Sequence, residues 1–298
     1  MSEEFNGVSN RDLAAVNADV LRRVSDIRWS VGGIERALLE RYPVSDAEDW
    51  DRMGLLVGDP FEEAKGVAIA LDPTVDAVRN AVSAGANVLL THHPVFLDPP
   101  NRIRPLGTGD HGPGTVVWEA VKSGVSLINF HTALDVSADA AQMLPGMLGL
   151  EFQSIVERVT ADGRGYGQLC TIRPTDAPMT LRSLAARCLS VFGRPARVWG
   201  DFDTHLDTVV TCTGSAGDLV DHCLEAGYTC LVCGESRYHT VLPAIEAGLC
   251  VIELGHDVSE LPLCAVLAAA LRSAGYPETH ITILDQSSNW TTPEAIRK

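Results

Sequence analysis

Two adjacent histidines close an apolar run, Ala86-Asn-Val-Leu-Leu-Thr-His92-His93-Pro94. Two further polar clusters follow apolar runs in the same way. His131-Thr-Ala-Leu-Asp135 comes after Val125 to Phe130, and His256-Asp-Val-Ser-Glu260 comes after Val251 to Leu254. Imidazole nitrogen and carboxylate oxygen together suit borderline divalent ions such as Zn, Mn, Fe(II), Co or Ni. The number of such groups exceeds what one tetrahedral ion needs, and two ions sharing a carboxylate fit the count better. On a regular strand His92 and His93 would face opposite ways. At a strand end the chain turns, and Pro94 keeps His93 extended, so the two rings can splay towards different ions. A single strand-end histidine is ordinarily a surface or capping residue. Spacing alone leaves both readings open, although three clusters of one kind favour a metal site.

The elements that must position these groups are legible as short apolar runs alternating with helical patterns. The runs are Gly66–Leu71, Asn87–Thr91, Val125–Phe130, Thr208–Thr213, Thr229–Cys233 and Leu249–Leu254. Helical stretches are expected over Gly33–Arg41, Val75–Ala84, Gly114–Ser123, Leu181–Phe192, Gly217–Ala226 and Tyr238–Ala247, with another over Asp12–Val24. Continuous apolar strands separated by amphipathic helices predict α/β architecture with mostly parallel sheets flanked by helices. Residues 66–92 align without gaps onto 208–234, with Asp76 falling on Asp218, Val78 on Val220 and Gly85 on Gly227. The next unit recurs as well, and each copy ends in a histidine followed by an acid, His131/Asp135 and His256/Glu260. The expectation is therefore an internal duplication: two related α/β halves with a metal site in the cleft between them. Ligands of open α/β sheets bind beyond the carboxyl ends of the strands, which suits all three clusters. The expected boundaries are an N-terminal helical extension over 1–30, a first half over 31–150 and a second over 151–298, whose C-terminal segment is free to pack back on the first.

Composition narrows the partners. The formal net charge of -16 argues against a nucleic-acid or anionic-membrane partner, since both need a basic face. No apolar run is long enough for a membrane span, and the acidic N-terminus lacks the features of a signal peptide, so a cytoplasmic location is expected. The eight cysteines all follow residue 169 and sit mostly in apolar stretches, as reduced core residues would. Cys230 and Cys233 form a CxxC, but residues three apart on a strand point to opposite faces, which suits a shared ligand poorly. The glycine-rich Thr213-Gly-Ser-Ala-Gly217 matches no dinucleotide or phosphate-loop fingerprint and is expected to be a tight turn. His239 is left as either a supporting residue of the third cluster or a surface residue.

Several of these stretches together resemble the GTP cyclohydrolase 1 type 2 homologue family of dinuclear-metal, ring-shaped hexameric proteins. They are Trp50-Asp-Arg-Met-Gly54-Leu-Leu-Val-Gly-Asp59, Leu90-Thr-His92-His93-Pro94, His131-Thr-Ala-Leu-Asp135, Cys212-Thr-Gly214-Ser-Ala-Gly217, Gly234-Glu235 and Gly255-His256-Asp-Val-Ser-Glu260. The resemblance runs in the family's order from about residue 31 to residue 290. It implies that His92, His93, Asp135, His256 and Glu260 bind two divalent ions per chain, with Glu260 bridging, and that the protein is a homohexamer. It places His131 beside the metals, as a catalytic proton-transfer residue or an extra ligand. The chain departs from the family at Arg52-Met53, at Ala133 and at Val95-Phe-Leu-Asp98-Pro; these changes leave the implied ligands intact and bear on the substrate pocket.

Two functions follow as expectations. The first is a metal-dependent hydrolase that attacks a nucleotide, phosphoester or cyclic amide through a metal-bound hydroxide. Ring opening of GTP is implied by the family's name, but no guanine pocket is legible in these residues. The second is a non-enzymatic metal-binding or regulatory ring that binds a partner, because a fold and its metals do not by themselves establish turnover.

Overall fold

The computed structural model of the chain describes residues 29–107, 109 and 111–291. The helix expected over Asp12–Val24 lies outside the described residues. The described residues divide into two compact units, one within 29–134 and 264–288, the other within 135–263 and 289–291. Among the described residues, no helix is long and apolar enough to cross a membrane.

The first unit is built on a sheet containing β1 (Gly54–Val57), β2 (Val67–Ala70), β3 (Val88–Thr91), β4 (Ser126–Asn129) and β13 (Ile281–Ile283), in the order β1-β4-β3-β2-β13. β4, β3, β2 and β13 pair in parallel, and β1 closes one edge antiparallel to β4. Every residue of β2, β3 and β4 is buried, which explains why these strands read as unbroken apolar runs rather than alternating ones. The helices Val75–Ser83 and Pro113–Ser123 supply Val78, Ala81, Val117 and Ala120 to a core shared with Ala68, Leu89 and Leu127 of the strands. Thr74 caps the first of these helices, its hydroxyl accepting from the Ala77 amide at 3.0 Å, a contact worth about 1 kcal/mol.

The second unit holds a six-stranded sheet. Its members are β5 (Glu151–Arg158), β6 (Gly165–Thr171), β8 (Arg197–Trp199), β10 (Thr208–Thr211), β11 (Cys230–Cys233) and β12 (Cys250–Glu253), in the order β5-β6-β10-β11-β12-β8. The small strands β7 (Met179–Thr180) and β9 (His205–Leu206) pair separately. Two cores cover this sheet. Cys230, Val232 and Ile252 belong to one, and Leu231, Cys233 and Val251 to the other, as the period of two requires. Cys230 and Cys233 thus enter different cores, and all eight cysteines are reduced and buried.

The expectation of mostly parallel sheets holds for the first unit and needs correction for the second. There only β10–β11 and β11–β12 are parallel, while β5–β6, β6–β10 and β12–β8 are antiparallel. β5 and β6 are joined by a short turn, which cannot make the crossover that a parallel pair demands. β5, reading Glu-Phe-Gln-Ser-Ile-Val-Glu-Arg, has no buried residue and so carries no apolar run to announce it.

The six runs expected as strands are β2, β3, β4, β10, β11 and β12, each within two residues of the expected bounds. Both units therefore contain the order strand–helix–strand–helix–strand. Val67 pairs with Val88 in one and Val209 with Cys230 in the other, so the aligned positions keep the same register. The carboxyl ends of these strands carry Asp72, His92, His93 and His131 in the first unit. The corresponding ends in the second carry Gly214, Gly234, Glu235 and His256.

Candidate metal centre

In the first unit β3 ends at Thr91, and the chain leaves it with His92 buried and His93 partly buried. The Thr91 hydroxyl donates to the His93 carbonyl at 2.7 Å, and the His93 amide donates back to the Leu71 carbonyl at 3.0 Å. These bonds fix the turn that lets neighbouring residues face one place. β4 delivers His131 one residue beyond Phe130. The ring of His92 lies 4.9 Å from that of His93 and 5.1 Å from that of His131, centroid to centroid. One ligand atom from each of the three rings falls within 4.8 Å of the others.

Each ring is held through Nδ1. His92 Nδ1 lies 3.1 Å from the Phe130 carbonyl oxygen, His93 Nδ1 2.7 Å from Asp72 Oδ1, and His131 Nδ1 3.0 Å from Asp51 Oδ1. A carbonyl oxygen can only accept, so His92 carries its proton on Nδ1; an ionised carboxylate imposes the same tautomer on the other two. The nitrogen that each ring can offer to a cation is then Nε2. Metal-binding histidines are characteristically oriented in this manner, by a carboxylate or carbonyl behind the ring.

Asp51 is the most constrained of these supports. It is fully buried and accepts from His131, from the Thr132 amide at 3.0 Å and hydroxyl at 2.6 Å, and from the Arg52 amide at 2.7 Å. Burial alone would raise its pKa. The hydrogen bond and charge of His131, with the two Thr132 bonds, outweigh that and hold the carboxyl below the usual aspartate range. Trp50 lies edge-on to His131, with ring centroids 5.8 Å apart.

In the second unit, His256 begins a short helix that ends at Glu260, so the two side chains share one face. His256 Nε2 lies 3.1 Å from Glu260 Oε2, and Nδ1 lies 3.0 Å from Glu235 Oε1. Glu235 leaves the end of β11 as His93 leaves the end of β3, and each is joined to a partner across a hydrogen bond. Ser259 ties the helix to the Gly214 loop. Its hydroxyl accepts from the Gly214 amide at 2.9 Å and donates to the His256 carbonyl at 2.8 Å. Gly214 has φ +58°, and a Cβ there would overlap Glu260 Oε1. Space for the carboxylate is thus kept by the absence of a side chain, and the loop is the tight turn expected from its glycines. Asp135 closes the short helix Thr132–Asp135, where the chain enters the second unit.

All six candidate residues therefore occupy strand-end positions or the short helices that follow them. The first unit gathers His92, His93 and His131, and the second gathers His256 and Glu260. His239 is exposed and packs its ring on Tyr238 at 5.3 Å. Sequence reasoning gave no role to Asp51, Asp72 or Glu235. Asp72 had a visible signal: it follows β2, and β2 is the parallel neighbour of β3, so an acid at that end lies beside His93. Asp51 lies inside the resembling stretch Trp50–Asp59, but no spacing links it to His131, since it stands 80 residues from its partner in a segment without strand or helix.

Comparison with known proteins identifies the family and the fold. The profile of the Duf34/NIF3 (NGG1p interacting factor 3) family matches residues 30–289. A Streptomyces coelicolor protein called GTP cyclohydrolase 1 type 2 homolog is 32% identical over 246 residues, covering 79% of this chain and 83% of that protein. Protein NIF3 homolog of Schizosaccharomyces pombe is 27% identical over 248 residues, 77% of this chain and 86% of its own length. Among solved structures, a Bacillus cereus protein related to NIF3 superposes with a TM-score of 0.78 at 19% identity, covering 89% of this chain and 98% of that one. The matched span takes in every strand end described above, and the chain belongs to the Duf34/NIF3 family.

Proposed function

We propose that this chain binds two divalent metal ions and acts as a metal-dependent hydrolase on a nucleotide, phosphoester or cyclic amide. The observation that carries this reading is the set of three imidazoles with ligand atoms within 4.8 Å, each oriented through Nδ1. In this reading His92, His93, Asp135, His256 and Glu260 would hold the ions, with Glu260 as the shared carboxylate. The shared strand order and register support an origin by duplication. The donor chemistry fits borderline ions: oriented imidazoles, carboxylates, and a glycine at position 214 that leaves room beside Glu260.

Divalent ions so held lower the pKa of water and polarise a carbonyl or phosphoryl group. The protein's own contribution is positional. Asp72 and Glu235 fix the planes of His93 and His256 through Nδ1. Asp51 keeps the His131 Nε2 lone pair on the side away from the carboxylate and would stabilise the imidazolium that forms when that nitrogen takes a proton. His131 would then return the proton to the leaving group.

Elemental analysis and anomalous diffraction test the metal reading, with up to two ions per chain expected and fewer in His93→Ala or His256→Ala. Full metal content in both variants would reject the ligand assignment. Turnover is tested with nucleotides, phosphodiesters and cyclic amides on Mn-, Zn- or Fe-loaded protein, and is expected to vanish in Glu260→Gln and His92→Ala. Stoichiometric metal without turnover in the panel would instead favour a non-enzymatic, partner-binding role. The proposed homohexamer is checked by light scattering.

A further inference from the structure

The second unit carries a cavity of about 350 Å³ whose lining includes none of the candidate ligands. It lies between residues 136–142 on one side and β5, with the turn that leads into β6, on the other. Val136 and Ala141, both buried, form its apolar part together with Phe152 and Ile155. Phe152 and Ile155 stand three apart and would face opposite ways on a regular strand. A bulge between Phe152 and Ser154 brings both onto one side of β5, opposite Cys170 and Gln168 of β6. The volume lies at the lower end of the range for small-molecule sites.

The polar part of the wall reverses the sign of the chain. The sequence holds 39 acids against 23 lysines and arginines, yet the ionic groups lining this cavity are the guanidinium groups of Arg158 and Arg164. No carboxylate lines it among the described residues. Glu157, next to Arg158 on β5, turns towards the helix Leu219–Ala226, where it lies 3.9 Å from His222 Nδ1. Asp135 and Asp139 are near in sequence but are not part of the lining. Arg164 donates from Nε to Asp162 Oδ2 at 2.8 Å. That bond, with one from the Thr160 hydroxyl, holds the Asp162 carboxyl down to about 2, so Asp162 offsets the charge of Arg164. The Arg158 side chain has no hydrogen bond or ion pair among the described residues, which leaves one positive charge to the cavity. Its stem crosses the turn at Gly163, where φ is +84° and a Cβ would lie 3.8 Å from Arg158 Cδ. Gln142 and Ser154 add neutral hydrogen-bonding groups to the wall. One uncompensated guanidinium beside an apolar floor suits a monoanion with an apolar body. A carboxylate supplies the planar pair of oxygens that a guanidinium fork meets with two parallel hydrogen bonds.

We infer that this cavity binds a small carboxylate with an apolar body, held by Arg158. None of the residues used belongs to the metal centre, so the site stands or falls apart from the function proposed above.

Calorimetric titration of the full chain with 3-phenylpropionate and 4-methylvalerate tests it, set against their neutral amides and against inorganic phosphate. At least one carboxylate should bind saturably, about tenfold or more tightly than its own amide. Arg158→Gln, at an exposed position, should weaken that carboxylate about tenfold. Arg158→Lys keeps the charge but loses the fork, and its affinity should fall between the two. Failure of both carboxylates to bind would overturn the site, as would an amide equal to its carboxylate or an affinity unmoved in Arg158→Gln. Phosphate bound more tightly than both carboxylates would overturn the ligand class. Carboxylate captured by bound metal ions instead would survive Arg158→Gln and vanish on chelation, and that result too would count against the site.

Discussion

Replacing Asp51 tests how the histidine cluster is held. In Asp51→Ala the two buried donors of Thr132 lose their acceptor, and His131 and the Arg52 amide lose theirs. A buried donor left unsatisfied costs about 1–3 kcal/mol, so the Thr132 pair alone sets the loss at about 4 kcal/mol. For a unit of this size that corresponds to a fall in melting temperature of about 8–16 °C. Asp51→Asn isolates the orienting role, because it keeps the shape and one acceptor oxygen. If that oxygen serves Thr132, the new amide group faces His131 Nδ1 and donates to it. The His131 proton must then move to Nε2, the nitrogen on the far side of the ring from Asp51. Nitrogen-resolved NMR of the imidazoles reads the tautomer directly, with Nδ1–H expected in the parent and Nε2–H in Asp51→Asn. An Asp51→Ala protein within about 0.5 kcal/mol of the parent would refute the energetic argument, since that is the scatter of ordinary surface changes. An unchanged tautomer in Asp51→Asn would refute the orienting argument even if stability fell.

Three further outcomes are expected. Glu35 is buried and its carboxyl is raised above the ordinary value of 4.5 by desolvation, partly offset by the hydrogen bond from the Leu55 amide. A raised folded-state pKa means stability that is complete below 4.5 and lost as pH climbs through the folded value. Glu35→Gln should therefore gain stability relative to the parent between pH 4.5 and neutrality in denaturant titrations, and a difference independent of pH would contradict this. Gly214→Ala places a Cβ on Glu260 Oε1 in left-handed backbone, which should cost about 1–2 kcal/mol and lower the metal content seen by elemental analysis. Unaltered melting and metal content would show that the cradle is not tight. Burial pushes the thiols of Cys170, Cys188 and Cys223 up to about 12, so native protein at pH 8 should resist iodoacetamide at these sites and react fully once unfolded. Rapid native labelling of any of the three would argue against the core packing described.

What could be read from the chain depended on burial. β2, β3, β4, β10, β11 and β12 are covered on both faces, so each is an apolar run with a sharp polar end, and the ends marked the candidate ligands. β5 was hidden because a half-exposed antiparallel strand mixes polar and apolar residues, as in Gln153-Ser-Ile-Val156, and β6 because Gly165, Gly167 and Gln168 interrupt its apolar residues. β1 and β13, at the two edges of their sheet, are only four and three residues long and leave no apolar run to mark them. The ligand candidates were visible as imidazoles and acids at aligned positions. Their supports were not, because Asp51 reaches His131 through the fold rather than through any spacing. The glycine at 214 showed itself as a turn residue, while its service to Glu260 required the packed structure.

The first unit is interrupted: the chain leaves it at Leu134 and returns at Cys264. During synthesis, β2 emerges long before β13, its parallel neighbour, and Gln286, whose side-chain oxygen accepts from the amides of Leu71 and Asp72, emerges later still. A nascent chain therefore carries an incomplete sheet with an open margin at Val67–Ala70 throughout translation of the intervening residues. Such a margin is a template for pairing with other chains. A ribosome stalled before residue 264 would release a species prone to aggregate, although its histidine trio is already encoded in full. Relocating 264–288 to precede residue 29 by circular permutation would let the first sheet finish before the second unit begins.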